Sequence, residues 1–116
     1  MRHRNTTKKL DRKKGPREMM LRNLAASVIM YEKVKTTEAK AKVVRSVVER
    51  AITASKQNNL TARRRLLALL PQKKAVKKLM EVLNEKYKGR KGGYTRTVKL
   101  GTRQGDGARI VQIELV

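Results

Sequence analysis

The side chains that could do catalytic chemistry are few and poorly placed. His3 is the sole histidine, and its surroundings show no apolar periodicity that would hold a general base within hydrogen-bond reach of a substrate. The nine carboxylates are scattered, and most fit helix first turns or neighbouring Lys and Arg. Gly101, Gly105 and Gly107 match neither a P-loop nor a dinucleotide-binding fingerprint. The sequence predicts no enzyme, no cofactor and no metal site, with a small ribonuclease as an alternative.

The abundant functional groups are cations. The chain has 31 Lys and Arg against nine Asp and Glu, a formal charge of +22, and residues 16–116 alone carry +16. Clusters occur in residues 1–15, at 63–65, at 73–78 and at 86–91. A charge of this size binds polyanions and predicts nucleic acid as the partner.

The aromatic content indicates how the nucleic acid would be held. Phe and Trp are absent and only three Tyr are present, so stacking on bases is not the expected main interaction. Lys and Arg contacts to phosphates of a structured nucleic acid remain. Basic clusters on several elements favour burial within a large nucleic acid over reading of one groove of a duplex. A nucleoid-type DNA-binding architectural protein stays as an alternative.

Residues 1–15 contain seven Lys or Arg, and of larger apolar side chains only Met1 and Leu10. Such a segment cannot form a core, so it is predicted to be an extended arm that orders on a polyanion. Residues 16–116 are predicted to form a single globular domain. The chain shows no secretory signal, no membrane-spanning run and no Cys, which is typical of a soluble cytoplasmic protein.

Apolar residues at helical spacing predict four helices, over about 16–30, 37–57, 61–70 and 73–87. The expected N-caps are Gly15 for the first, with Pro16 at the first helical position, Thr36 or Thr37 for the second and Thr61 for the third. Pro71 should end the third helix, because the residue before a proline is pushed out of the α region.

After Gly92-Gly93 the apolar period changes to two, which predicts a hairpin of strands over about 94–100 and 109–116. Val98 and Leu100 share a face in the first strand, and a mobile Gly-rich loop offering Arg103 joins the two strands. A short strand is expected around Val34. The predicted fold class is α+β, with about four helices packed on a small sheet made of the hairpin and this strand.

Several stretches together resemble one family. They are MRHR at the start, EMMLRNLAASVI in the first helix, VKTTEAKAK with Glu49 and Ile52 downstream, and the closing GGYTRTVKLGTRQGDGARIVQIELV. Over nearly the entire chain the sequence resembles the bacterial large-subunit ribosomal protein L17 family, most specifically in VKTT-x-x-KAK and GGYTR.

The resemblance implies a non-catalytic constituent of the large ribosomal subunit, present in one copy and not as a homo-oligomer. It would bind large-subunit (23S-type) rRNA near the polypeptide exit tunnel, beside neighbouring large-subunit proteins of the tunnel rim and away from membranes. The rRNA-binding residues at matching positions are Arg2, His3, Arg4, Arg22, Lys35, Lys40, Lys42, Arg96, Lys99 and Arg103. The basic clusters add Lys8, Lys9, Arg12, Lys13, Lys14, Arg63 and Arg64.

Overall fold

The computed structural model describes Leu10 and residues 13–116, so most of the predicted arm lies outside the described residues. The elements in chain order are α1 (Lys14–Tyr31), β1 (Lys33–Thr37), α2 (Glu38–Ser55), α3 (Leu60–Leu69), α4, β2 (Thr95–Thr102) and β3 (Arg109–Leu115). Helix α4 is continuous through three parts, Lys73–Lys78, Leu79–Leu83 and Asn84–Lys86. Helices packed with a small sheet confirm the predicted α+β class. None of the described helices is both long and apolar enough to cross a membrane.

The sheet has three antiparallel strands in the order β1-β3-β2. The short strand around Val34 therefore joins the hairpin, and it does so next to β3, with Val34 opposite Ile113. Directly opposed residues share a face. Val111, Ile113 and Leu115 of β3 are buried and form the face of the sheet that joins the core.

The core lies between this sheet face and the helices. Helix α2 contributes Ala41, Val44, Val48, Ala51 and Ile52, all at most 1% exposed. Their spacing follows one face of a helix, as the sequence predicted. Ser55 is also fully buried and donates to the carbonyl of Ile52 at 2.6 Å.

Two predicted N-caps are wrong by two residues. Helix α1 begins at Lys14 with Lys13 as N-cap, because the Lys13 carbonyl accepts the N–H of Arg17 at 2.9 Å. Pro16 is tolerated inside this first turn, since the N–H it lacks would have no helical partner. Helix α3 is capped by Asn59, whose side-chain oxygen accepts from the Ala62 N–H at 2.8 Å, and not by Thr61.

The other predicted boundaries agree with the structure. Thr37 caps α2 by accepting from the Lys40 N–H at 3.5 Å, with Glu38 in the first turn. Leu70 before Pro71 has φ −106° and ψ 131°, and α3 ends there. The helix predicted over 73–87 buries its apolar face, namely Val76, Leu79, Met80 and Leu83 in α4 and Tyr87 at its C-cap. Its middle turn, Leu79–Leu83, is π-helical, which the apolar spacing does not reveal.

The alternation of apolar residues in β2 suggests that Val98 and Leu100 face the core, but the register of the strand shows otherwise for Val98. Lys99 lies opposite Val111 and Thr97 opposite Ile113, so these polar residues share the face of the buried strand residues. Val98 lies opposite Gln112, on the other face of the sheet, and is 40% exposed. A bulge shifts the register between Lys99 and Gly101. Only Thr95 of β2 is buried, so the rest of the strand projects beyond the helices.

Candidate nucleic-acid interface

The predicted contact residues closest to the start of the chain lie outside the described residues; they are Arg2, His3, Arg4, Lys8, Lys9 and Arg12. Lys13 and Lys14 follow them and are exposed at the start of α1. The backbone dipole is positive at a helix N-terminus, so two ammonium groups and unpaired N–H groups coincide there. Arg22 is half-buried further along α1.

Three predicted lysines flank the junction of β1 and α2. The strand ends at Thr37 and the helix begins at the next residue, so the backbone carrying Lys35, Lys40 and Lys42 is fixed by the sheet and the helix cap. Lys42 lies 3.4 Å from Glu38, one turn away. Lys35 and Lys40 have no carboxylate within 4.0 Å in the described part of the chain, and Lys35 is exposed.

In the hairpin, Arg96 is held by a buried acid. Its Nε donates to Glu114 at 3.0 Å, and Lys33 on the other edge strand lies 3.9 Å from the same carboxylate. Register explains the cluster, because Glu114 on the central strand lies opposite both Lys33 and Arg96. The Glu114 side chain is only 6% exposed, whereas that of Arg96 is 61% exposed. Arg96 is therefore positioned by an ion pair that offsets part of its charge.

The loop after β2 is organised by Arg103. Its guanidinium donates two hydrogen bonds to the Asp106 carboxylate, one of them from Nε at 3.1 Å, and its backbone N–H donates to the Ala108 carbonyl at 2.8 Å. The Arg103 hydrogen bond, and then one from the Ala108 N–H, lower the pKa of Asp106 to about 2. Asp106 in turn raises the pKa of Arg103. The loop is closed by these bonds, and Arg103 is engaged within it.

Arg63 and Arg64 on α3 and Lys99 on β2 are all exposed. Among residues 13–116 none of the three has a carboxylate within 4.0 Å, in contrast to Arg96 and Arg103. The predicted contact residues thus divide into cations whose charge is already offset inside the protein and cations whose charge is not. The second group is distributed over α1, β1, α2, α3 and β2.

Two lysines of the basic clusters at 73–78 and 86–91 stabilise the fold. Lys78 is only partly exposed and donates from Nζ to the Met30 carbonyl at 3.0 Å, while lying 3.5 Å from Glu32. Lys86 lies 3.3 Å from the same Glu32 carboxylate. Burial raises the pKa of Glu32, but the hydrogen bond from Lys86 and the charges of Lys78 and Lys86 outweigh it and lower the pKa. This cluster, the Glu32 cluster, joins the end of α1 to α4.

Three cations that the sequence reasoning did not select meet in space. Arg50 on α2, Arg65 on α3 and Lys91 before β2 line one cleft, which Tyr94 also borders. Arg65 and Lys91 belong to basic clusters visible in the sequence, but nothing in the sequence places Arg50 beside them. Within the described residues, no group of three or more His, Cys, Asp or Glu could hold a metal ion.

A small α+β core that carries exposed, largely unneutralised cations on most of its elements is typical of proteins that associate with polyanions. A family model described as "Ribosomal protein L17" matches residues 20–116. The chain belongs to the ribosomal protein L17 family, and so it is a structural protein and not an enzyme.

Individual relatives agree with this assignment over almost the full length. The chain is 50% identical to "Large ribosomal subunit protein bL17" of Thermoanaerobacter sp. (strain X514) over 109 residues, covering 94% of this chain and 97% of that protein. It is 47% identical to the protein of the same name from Rickettsia bellii (strain OSU 85-389) over 116 residues, covering 100% of this chain and 82% of that protein. The protein of that name from Syntrophotalea carbinolica is 45% identical over 116 residues, covering 100% of this chain and 75% of that protein.

Proposed function

We propose that this chain stabilises folded large-subunit (23S-type) rRNA near the polypeptide exit tunnel by contacting its phosphates with Lys and Arg. Membership of the family makes the chain a structural constituent of the large ribosomal subunit, in the bacterial cytoplasm. We also propose that it lies beside neighbouring proteins of the tunnel rim, in one copy per ribosome.

The observation that supports the proposal most strongly is the distribution of unneutralised cations. Lys35, Arg64 and Lys99 are exposed on three different elements, and none has a carboxylate within 4.0 Å among residues 13–116. A protein that reads one groove of a duplex concentrates its charge on one element. A large folded RNA that surrounds the protein can place phosphates beside cations on several elements at once.

The proposed mechanism is phosphate neutralisation with counterion release. If six to ten phosphates are contacted, affinity falls by about 10³ to 10⁵ between 50 and 200 mM salt, with duplex DNA as the guide. We further propose that the arm predicted over residues 1–15, in its part before α1, orders between rRNA helices while 16–116 act as one domain. Ordering an arm lowers the affinity per contact but permits a wide contact surface.

Co-sedimentation tests the proposal. Large subunits are centrifuged through sucrose gradients at physiological salt and at rising salt, and the chain is quantified in the subunit fraction. The proposal predicts one chain per subunit at physiological salt and its release as the salt rises. A chain that is absent or far below one copy per subunit at physiological salt would contradict the proposal. Competition binding addresses the DNA alternative: folded large-subunit rRNA fragments should displace duplex DNA, and equal binding of the two would favour a nucleoid-type protein.

A further inference from the structure

A cleft of about 530 Å³ opens between α2, α3 and the segment that leads into β2. Arg50, Arg65 and Lys91 line it from these three directions. Thr53 of α2 and Gln57, in the turn that follows α2, also line it, with Tyr94 beside them. The volume is within the usual range of small-molecule sites, and it is much larger than one phosphate group needs.

The charges around this cleft are not balanced. Arg50, Arg65 and Lys91 are all exposed, and none has a carboxylate within 4.0 Å in the described part of the chain. Glu49 is the sole acid lining the cleft, and it is engaged by Thr95 at 3.1 Å and by Arg45 at 3.7 Å. Three like charges around one concavity repel one another unless an anion lies between them. The rim therefore favours a phosphate.

The wall beside Tyr94 is fixed before any ligand arrives. The Tyr94 hydroxyl accepts from Thr53 Oγ1 at 3.3 Å and donates to the Arg90 carbonyl at 3.2 Å. The ring centroid of Tyr94 lies 5.1 Å from that of Tyr87 and 4.6 Å from the Lys56 ammonium nitrogen. Tyr94 is 1% exposed, so it supports the cleft and does not offer a free stacking surface.

We propose that this cleft receives one unpaired nucleotide turned out from the bound RNA. The base enters the cleft against the guanidinium planes of Arg50 and Arg65, and the Gln57 amide reads its edge. The phosphate lies at the rim beside Lys91. This inference rests on the proposed function, because it names a feature of the same RNA.

The neutral part of the lining is what distinguishes a nucleotide from a bare phosphate. Gln57 is exposed and carries both a hydrogen-bond donor and an acceptor, which suits the mixed donor and acceptor edge of a base. Ala54 provides apolar lining next to it. Proteins recognise RNA sequence mainly at unpaired bases, which stack on aromatic rings or on Arg guanidinium planes. In a chain with three Tyr and no Phe or Trp, Arg is the residue available for this stacking.

The test compares two RNA duplexes that differ by one extra, bulged nucleotide. The bulge carries 2-aminopurine, whose fluorescence reports transfer of the base into a new environment. The full chain should bind the bulged duplex about fivefold to tenfold more tightly than the paired duplex, at the low end of the energies measured for base stacking on side chains. R65Q and Q57A should each reduce this preference to less than half.

The matched controls are R64Q, which removes the same charge from the adjacent position of α3, and Q72A, which shortens a glutamine outside the cleft. Arg64 and Gln72 are exposed and do not line the cleft. R64Q should weaken binding of both duplexes by the same factor, and Q72A should change neither. Circular dichroism melting confirms that each variant is folded.

Equal affinity of the unaltered chain for the two duplexes would overturn the nucleotide site, as would an equal loss of preference in R64Q and R65Q. Binding of inorganic phosphate at the cleft with no bulge preference would show a phosphate site only, and would also overturn the inference. If one of these results is found but RNA binding remains strongly salt-dependent, the nucleotide site is refuted and the proposed function is not. Loss of RNA binding altogether would instead refute the proposed function.

Discussion

The division of cations into neutralised and unneutralised groups predicts how salt affects RNA binding. The informative change is R63Q/R64Q, since both arginines are exposed on α3 and neither has a carboxylate within 4.0 Å among residues 13–116. Each phosphate contact contributes about 0.9 to the slope of log affinity against log salt, so losing two lowers the slope by at most about 1.8. When the salt concentration rises fourfold, the affinity of R63Q/R64Q should therefore fall about tenfold less than that of the unaltered chain.

The assay is binding of a folded large-subunit rRNA fragment at several salt concentrations between 50 and 200 mM. The control is R103Q/D106N, which removes a cation together with the anion that it contacts. Because this double variant leaves the net charge unchanged, its slope should stay close to that of the unaltered chain. Both variants change two exposed side chains, so they are matched in the extent of substitution.

Two results would refute this reasoning. An unchanged slope in R63Q/R64Q would show that α3 does not contact phosphate. A slope that falls as far in R103Q/D106N would show that the loop opens on RNA and that Arg103 then counts as a phosphate contact, so that internal pairing does not identify the residues that bind.

Three further predictions concern stability and titration. Arg103 lowers the pKa of Asp106 from 3.8 to about 2, so the closed loop should persist above about pH 4 and open as the pH falls toward 2. The NMR shift of the Asp106 carboxyl carbon measures this titration, and a midpoint near 3.8 would contradict the prediction. E32Q should cost less than about 1 kcal/mol of unfolding free energy at pH 7, since the ion pairs are partly exposed. The lowered pKa of Glu32 means that this difference should disappear as the pH falls through the folded-state pKa, as acid-range denaturant titrations would show. L83A should cost about 2 to 5 kcal/mol in denaturant unfolding because Leu83 is 0% exposed, whereas V82A at a 52% exposed neighbour should cost under about 0.5 kcal/mol.

Most of the fold was accessible from the sequence because periodicity reports burial directly. The apolar faces of α2 and α4 and the existence of β1 follow from spacing alone. The N-cap of α3 was not predictable from residue type, because Asn59 and Thr61 are both residues that cap helices. In the structure it is the Asn59 side chain that accepts a backbone N–H, that of Ala62. The apolar pattern of β2 suggests that Val98 and Leu100 are core residues, but they are 40% and 47% exposed.

The candidate interface was predictable in kind but not in detail. Counting charges identifies a polyanion partner, yet it cannot tell a paired cation from a free one. The partner of Arg96 is 18 residues away and becomes a neighbour through the register of β2 with β3. Arg50 and Lys91 share a cleft because α2 packs near the segment before β2, and that arrangement is tertiary.

The central position of β3 constrains the order of events during synthesis. Both strands that it pairs with come earlier in the chain, so β1 leaves the translating ribosome long before its hydrogen-bonding neighbour exists. Lys33 and Arg96 gain their shared carboxylate at that same late moment. A nascent chain interrupted before residue 109 would thus leave β1 and β2 without the strand that joins them, and its helices without the buried side chains of β3.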